Sequence, residues 1–149
     1  MTTIVLADNQ SIALRGLRVL LEDVNDIEIV GEASDELEAV ALVEHLQPDM
    51  LLLDLEMPGL VGFEVAKRLR QSLPSLMILI YSEHGAFPYV RKAFKDGGVM
   101  AYIHKDDTDI CVIEAIEWVR RKQRYLSPSV LNISPDLNSG TLEIFLQLH

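Results

Sequence analysis

The chain has 149 residues, 49% of them hydrophobic and 24% charged, and a formal net charge of -10. This is the length of one ordinary domain with a short extension, and the apolar fraction is enough for a real core, which excludes extensive disorder. The acidic balance argues against a nucleic-acid binder along the whole chain, because contacts with phosphates need clustered Lys and Arg.

Five short apolar runs, each typical of a buried strand, alternate with stretches of helical periodicity. The runs lie at residues 4–7, 27–31, 50–53, 76–81 and 99–103. Helices are expected between the runs and after the fifth, near residues 12–21, 35–46, 63–73, 87–96 and 107–122. This order predicts an α/β fold: a flavodoxin-like, doubly wound parallel sheet of five strands in the order 2-1-3-4-5, covered by helices on both faces.

The character of the chain changes after Lys122. A basic cluster at residues 120–124 is followed by segments rich in Pro and Ser. We interpret the cluster as a solvated helix end, where cations suit the helix dipole, rather than as a nucleic-acid patch. We therefore expect one folded domain over residues 1–122, and a linker with a short tail over residues 123–149.

The chain carries no signal for export or for a membrane. Its single cysteine, Cys111, excludes an internal disulfide and fits a reducing compartment. The N-terminus lacks the basic start and apolar stretch of a signal peptide, and no apolar run approaches the roughly 20 residues of a membrane span. We expect a cytoplasmic protein with no membrane contact.

Asp54 ends the third apolar run and is closely followed by Pro58-Gly59, which predicts a turn. In an open parallel sheet, ligands bind outside the carboxyl ends of the strands. Burial disfavours a lone charge, so a carboxylate at this position needs a metal ion or a Lys beside it.

Polar residues follow three other predicted strands as well. They are Asp8-Asn9 after the first, Ser82 at the end of the fourth and Lys105 after the fifth. Alone, each has a plain structural explanation, such as a helix cap for Asp8 or a surface charge for Lys105. Together they supply carboxylates, an amide, a hydroxyl and an ammonium group, which suit a hard cation such as Mg²⁺ and an oxyanion such as a phosphoryl group. The sequence has no zinc-type ligand spacing and no Gly-rich phosphate loop.

These motifs make residues 2–122 resemble the receiver domain of two-component response regulators. The resemblance is closest to the subgroup whose output is a LuxR-type helix-turn-helix. The motifs that carry it lie at residues 4–8, 14–18, 54–59, 80–82, 102–105 and 125–128.

The resemblance implies a signalling module rather than an enzyme. Asp54 would accept the phosphoryl group, with Lys105 as the phosphate-binding lysine and Ser82 as the switch hydroxyl. Tyr102 would be the switch aromatic, which turns inward once Ser82 is drawn toward the phosphoryl oxygens. The groups that would hold Mg²⁺ are the side chains of Asp8, Asn9 and Asp54 and the backbone carbonyl of Glu56.

The resemblance also implies partners. The phosphodonor would be a sensor histidine kinase or a small phosphorylated molecule. Switching would alter partner contacts or homodimer formation through helix 4, strand 5 and helix 5. DNA would be bound only through an output domain that this chain does not contain. Residues 137–148 are reminiscent of the opening of such a domain, as in a truncated chain or one whose output domain is lost.

Two alternatives stay open. Asn9 stands where the family usually has a second acidic metal ligand, so Mg²⁺ binding should be weakened, and the chain could be a pseudo-receiver that acts as a phosphorylation-independent interaction or dimerisation module. Glu56, two residues after Asp54, also permits a haloacid-type phosphatase. The Met57-Pro58-Gly59 context and Lys105 favour the receiver.

Overall fold

The computed structural model describes residues 1–56, 62–84, 87–95 and 98–133. Its strands are β1 (Thr2–Ala7), β2 (Ile27–Ala33), β3 (Met50–Asp54), β4 (Met77–Ser82), β5 (Ala101–His104) and β6 (Tyr125–Leu126). Its helices are α1 (Ser11–Glu22), α2 (Glu36–Leu46), α3 (Gly62–Ser72), α4 (Phe87–Lys95), α5 (Thr108–Arg120) and α6 (Pro128–Ile133), with a 3-10 turn at Lys105–Asp107 before α5. None of these helices is long and apolar enough to cross a membrane.

The strands form one parallel sheet in the order β2-β1-β3-β4-β5-β6. The predicted α/β class and the order of the first five strands are confirmed, and the structure adds a sixth strand.

All five residues of β3 are buried. A central parallel strand has helices over both faces, so it has no solvated side to fill with polar residues. This explains why β3 appears in the sequence as a continuous apolar run.

Successive side chains of each strand enter two apolar layers, one on each face of the sheet. Val5, Leu51 and Ile78 belong to the layer that includes residues of α2, α3 and α4. Leu6 and Leu52 belong to the layer that includes residues of α1 and α5. Because all the strands are parallel, their carboxyl ends meet at one edge of the sheet, between the two helical layers.

The ends of α2 follow from local chemistry. The Asp35 side chain accepts a 2.8 Å hydrogen bond from the backbone N–H of Glu38, as expected for an N-cap. Gln47 adopts a left-handed conformation (φ 47°) after the helix, and Pro48 follows it. The predicted turn at Met57-Pro58-Gly59 lies outside the described residues.

The structure differs from the predicted linker at residues 125–133. Tyr125 and Leu126 are only 5% and 7% exposed, and they pair with Ala101 and Tyr102 of β5. The backbone N–H of Ser127 donates to the carbonyl of Tyr102 at 3.1 Å. Burial of two large side chains, and of the open edge of β5, favours this arrangement over an extended linker. Residues 137–148 lie outside the described part of the chain, and the boundary at Lys122 stays a prediction.

Candidate functional site

Asp54 is the last residue of β3, and only 1% of its surface is exposed. Its Cα lies opposite that of Tyr81 in β4. On the other side, Ala7 of β1 pairs with Leu53, so Asp8 follows β1 at the same level as Asp54. The sheet therefore brings the two carboxyl residues to neighbouring strand ends, at the edge where the sequence predicts a site.

Lys105 reaches Asp54 from the 3-10 turn that follows β5. The distance from Lys105 Nζ to Asp54 Oδ1 is 3.1 Å, and the same oxygen accepts a 3.0 Å hydrogen bond from the backbone N–H of Glu56. Lys105 Nζ also lies 3.4 Å from Glu56 Oε2. One ammonium group is thus shared by two carboxylates.

Burial and the neighbouring groups together set the protonation of Asp54 and Lys105. Burial and the neighbouring side chain of Glu56 raise the pKa of Asp54 to about 7, although the Glu56 N–H and Lys105 act in the opposite direction. Burial would lower the pKa of Lys105, but its hydrogen bond with Asp54 and the attraction of both carboxylates raise it above its ordinary value. Lys105 therefore stays charged, and Asp54 is the carboxyl that takes a proton more readily.

The Glu56 side chain contacts three of the predicted site residues, Asp54, Ser82 and Lys105. Its Oε1 accepts hydrogen bonds from Ser82 Oγ at 2.5 Å and from the backbone N–H of Glu83 at 2.9 Å. Burial alone would raise the pKa of Glu56, but the hydrogen bond from Ser82 and the other donors bring it below its usual range. The resemblance implies a role only for the backbone carbonyl of Glu56. The spacing of two residues past Asp54 was the signal for its side chain, which the phosphatase alternative used.

Ser82 of β4 and Tyr102 of β5 lie on the opposite face of the sheet from Tyr81, and both are fully buried. Ser82 Oγ accepts a 2.9 Å hydrogen bond from the backbone N–H of His84. The Tyr102 hydroxyl donates to the carbonyl oxygen of His84. The resemblance implies that Tyr102 turns inward only after Ser82 moves toward a phosphoryl group, whereas here the ring already lies inside. The ring packs in the apolar layer that includes α4, and its hydroxyl has a partner there.

Asp8 and Asn9 differ sharply in their surroundings. Asp8 is 1% exposed, and its Oδ1 accepts a 2.8 Å hydrogen bond from the backbone N–H of Gln10. Its Oδ2 accepts a hydrogen bond from the hydroxyl of Tyr81. Burial and this bond raise the pKa of Tyr81 well above its ordinary value, so the phenol stays protonated. Asn9 is exposed and makes no hydrogen bond with Asp8, Asp54 or Glu56.

The donor set fits Mg²⁺ better than a metal that needs many protein ligands. Within the described ranges, no three Asp, Glu, His or Cys side chains are grouped to hold a metal ion. Mg²⁺ usually takes one or two protein carboxylates and keeps several waters. The carboxylates of Asp8 and Asp54, with the backbone carbonyl of Glu56, would make a set of that kind.

Comparisons with known proteins identify the family of this chain. The family model for the response regulator receiver domain matches residues 4–117. The chain is 36% identical over 103 residues to the uncharacterized transcriptional regulatory protein YhcZ of Bacillus subtilis, covering 69% of this chain and 48% of that protein. It is 30% identical over 130 residues to the response regulator UvrY of Escherichia coli, covering 87% of this chain and 59% of that protein. The chain thus spans about half the length of these curated relatives.

Solved structures show the same architecture. A LuxR-family two-component response regulator from Aurantimonas sp. SI85-9A1 superposes with a TM-score of 0.85 at 31% identity, covering 91% of this chain and 97% of that one. The isolated receiver domain of RcsB from Salmonella enterica, at 22% identity, shares the fold with a TM-score of 0.82, covering 89% of this chain and 97% of that one. The strand order, the site at Asp54 and the family match lead to one conclusion: the chain belongs to the response regulator receiver domain family of two-component systems.

Proposed function

We propose that this chain accepts a phosphoryl group on Asp54, from a sensor histidine kinase or a small phosphodonor with Mg²⁺, and thereby changes its contacts with partners or with a second copy. The observation that carries the proposal is the 3.1 Å contact between Lys105 Nζ and the buried Asp54 carboxylate. A buried carboxylate with a charged ammonium beside it is suited to accept a phosphoryl group and to stabilise its charge.

The chemistry follows from these groups. A carboxylate oxygen of Asp54 attacks phosphorus, and the bond from phosphorus to the donor nitrogen or oxygen breaks as the donor leaves with the electron pair. Phosphoryl transfer depends mainly on positioning and on charge stabilisation. Lys105 would neutralise one of the phosphoryl oxygens. When bound through Asp8, Asp54 and the Glu56 carbonyl, Mg²⁺ would neutralise the others.

The readout would pass through Glu56 and Ser82. A phosphoryl group on Asp54 would compete with the Glu56 carboxylate for Lys105 and for the Ser82 hydroxyl. Ser82 also accepts from the N–H of His84, whose carbonyl accepts from Tyr102 of β5. A change of charge at Asp54 would therefore alter the contacts of Tyr102 and so the packing of β5.

The partners are part of the proposal. A sensor histidine kinase would supply the phosphoryl group in the cytoplasm, and the face formed by α4, β5 and α5 would carry homodimer or partner contacts. Because the chain spans about half of its relatives, DNA binding would belong to an output domain outside this chain. The proposed role is that of a signalling module rather than an enzyme.

The test is phosphorylation of the purified chain by acetyl phosphate with Mg²⁺, followed by intact mass and by the NMR signal of the Glu56 amide. Wild type should gain one phosphoryl group and shift that amide, and Asp54→Asn should do neither. Asp23→Asn, which changes an exposed carboxyl at the end of α1, should behave as wild type. Absence of an Asp54-dependent adduct in the wild type would contradict the proposal.

One observation favours a second candidate, a pseudo-receiver that binds partners without phosphorylation. Asn9 replaces the second acidic group at the end of β1, and it is exposed without a hydrogen bond to Asp8 or Asp54. Such a module would give no change with beryllofluoride and Mg²⁺. It would also keep its self-association unchanged in Asp54→Asn, which sedimentation can measure.

A further inference from the structure

Tyr81 has no part in the proposed phosphoryl chemistry, yet it lies at the centre of the site. It is the penultimate residue of β4, it is 3% exposed, and its hydroxyl donates a hydrogen bond to Asp8 Oδ2. We propose that Tyr81 is a positioning residue that holds the Asp8 carboxylate ready for a divalent cation. This inference rests on the proposed function, because it assumes that Mg²⁺ binds beside Asp54.

The register of the sheet explains why this position can reach Asp8. Leu6, Leu52 and Leu79 lie side by side on β1, β3 and β4, and all three belong to the apolar layer that includes α1 and α5. Side chains return to the same face every second residue. Two residues further along, the same row therefore continues as Asp8, Asp54 and Tyr81.

Two parts of the Tyr81 side chain, the hydroxyl and the ring, contact two different neighbours. Its hydroxyl bonds to Asp8, and its ring lies 5.6 Å from Lys105 Nζ, within the range of a cation–π interaction. A change to Phe removes the first contact and keeps the second. This separates an effect on Asp8 from an effect on Lys105.

Asp8 is held at both carboxylate oxygens. Oδ1 accepts from the N–H of Gln10, and Oδ2 accepts from Tyr81, which leaves lone pairs on both oxygens for a cation. Because Asn9 is neutral and exposed, Asp8 provides the negative charge at the end of β1. The affinity for Mg²⁺ should therefore depend more on the orientation of the Asp8 carboxylate than it would if a second acidic residue stood beside it.

The expected effect is a loss of metal affinity. Hydrogen-bond partners that orient a metal-ligating carboxylate usually contribute tenfold or more to affinity, so Tyr81→Phe should bind Mg²⁺ about tenfold more weakly than wild type. The hydroxyl also withdraws negative charge from Asp8, and this effect taken alone opposes Mg²⁺ binding. Weaker Mg²⁺ binding by Tyr81→Phe would show that orientation of Asp8 is the larger effect, and tighter binding would show that the charge of Asp8 is.

The experiment is a Mg²⁺ titration of the metal-free chain by calorimetry, with the amides of Gln10 and Glu56 followed by NMR. Tyr125→Phe is the matched control, because Tyr125 is a buried tyrosine of the same apolar layer that lies on β6. Tyr81→Phe should weaken Mg²⁺ binding and move the Gln10 amide before Mg²⁺ is added. Tyr125→Phe should keep the wild-type dissociation constant. Thermal unfolding in a chelator then shows whether stability alone accounts for the difference.

Two results would overturn the inference in distinguishable ways. If wild type binds Mg²⁺ and Tyr81→Phe binds it equally well or more tightly, the role of Tyr81 is wrong and the proposed function stands. If wild type binds no Mg²⁺, the metal-dependent part of the proposed function falls, and the inference falls with it.

Discussion

Ser82 Oγ donates a 2.5 Å hydrogen bond to Glu56 Oε1, so the hydroxyl expected to act as the switch is held by a carboxylate of the chain itself. The other oxygen of Glu56 lies 3.4 Å from Lys105 Nζ. The two groups expected to receive phosphoryl oxygens are thus both engaged by one side chain. Any anion attached to Asp54 must compete with it.

Glu56→Gln should ease that competition. Gln keeps an oxygen that can accept from Ser82 and Glu83 but carries no charge, so Lys105 would no longer be shared between two carboxylates. We expect beryllofluoride to bind about fivefold more tightly in the presence of Mg²⁺, because a like charge near the anion has been removed. A fluorescence or NMR titration measures this. Unchanged or weaker binding would show that Glu56 does not compete for the anion.

Asp54→Asn should stabilise the metal-free chain at alkaline pH. The pKa of Asp54 is about 7 in the fold and 3.8 as the ordinary value, so the folded state binds the proton more tightly than the unfolded state. Ionisation of Asp54 therefore makes wild type less stable as pH rises from about 4 to 7, and the loss stays constant above that.

The Asp54→Asn variant has no carboxyl to ionise at this position, so it does not lose stability in this way. We expect it to be more stable than wild type by about 2 kcal/mol at pH 8, and the difference should shrink toward pH 5. Urea unfolding in a chelator at both pH values measures it. A difference that grows as pH falls would contradict the prediction.

Leu126→Ala should destabilise the domain by about 2–3 kcal/mol, the usual cost of a cavity in a packed core. Leu126 is 7% exposed and belongs to the apolar layer that includes Tyr102. Leu37→Ala removes the same atoms at a site that is 74% exposed and should change the free energy of unfolding little. Equal effects in urea unfolding would mean that residues 125–126 behave as a linker in solution.

Asp107→Asn should loosen α6 from the start of α5. Asp107 accepts from both the N–H and the hydroxyl of Ser129, at 2.8 and 2.7 Å. Burial would raise the pKa of Asp107, but the bonds from Ser129 hold it below its ordinary value of 3.8. The stabilisation is therefore present above pH 4 and is lost as pH falls through the folded-state pKa.

Because the group is partly solvated, we expect a loss of about 1 kcal/mol at neutral pH. Hydrogen exchange at the backbone amides of Ser127, Ser129 and Val130 should quicken in the variant. Asp106→Asn, whose side chain is 83% exposed, serves as the control. The prediction fails if both variants exchange at the same rate.

Much of the site could be predicted because strand ends in a parallel sheet meet at one edge. That rule selects Asp54 and Lys105 from the sequence, and the structure places them 3.1 Å apart. It does not select the Glu56 side chain, which enters the site through the path of the loop after β3. The rule places Tyr81 beside Ser82 at the end of β4, but it assigns no role to the Tyr81 hydroxyl.

The sequence by itself determined the α/β class, the order of the first five strands and the family, because apolar periodicity and strand-end polar residues are local patterns. Only the tertiary structure decided that Tyr81 lies opposite Asp54 and bonds to Asp8, that Glu56 holds Ser82, and that Tyr125 and Leu126 extend the sheet. Those facts depend on strand register and on the packing of residues far apart in the chain. Neither can be read from local pattern, because a shift of one residue would turn each side chain to the opposite face.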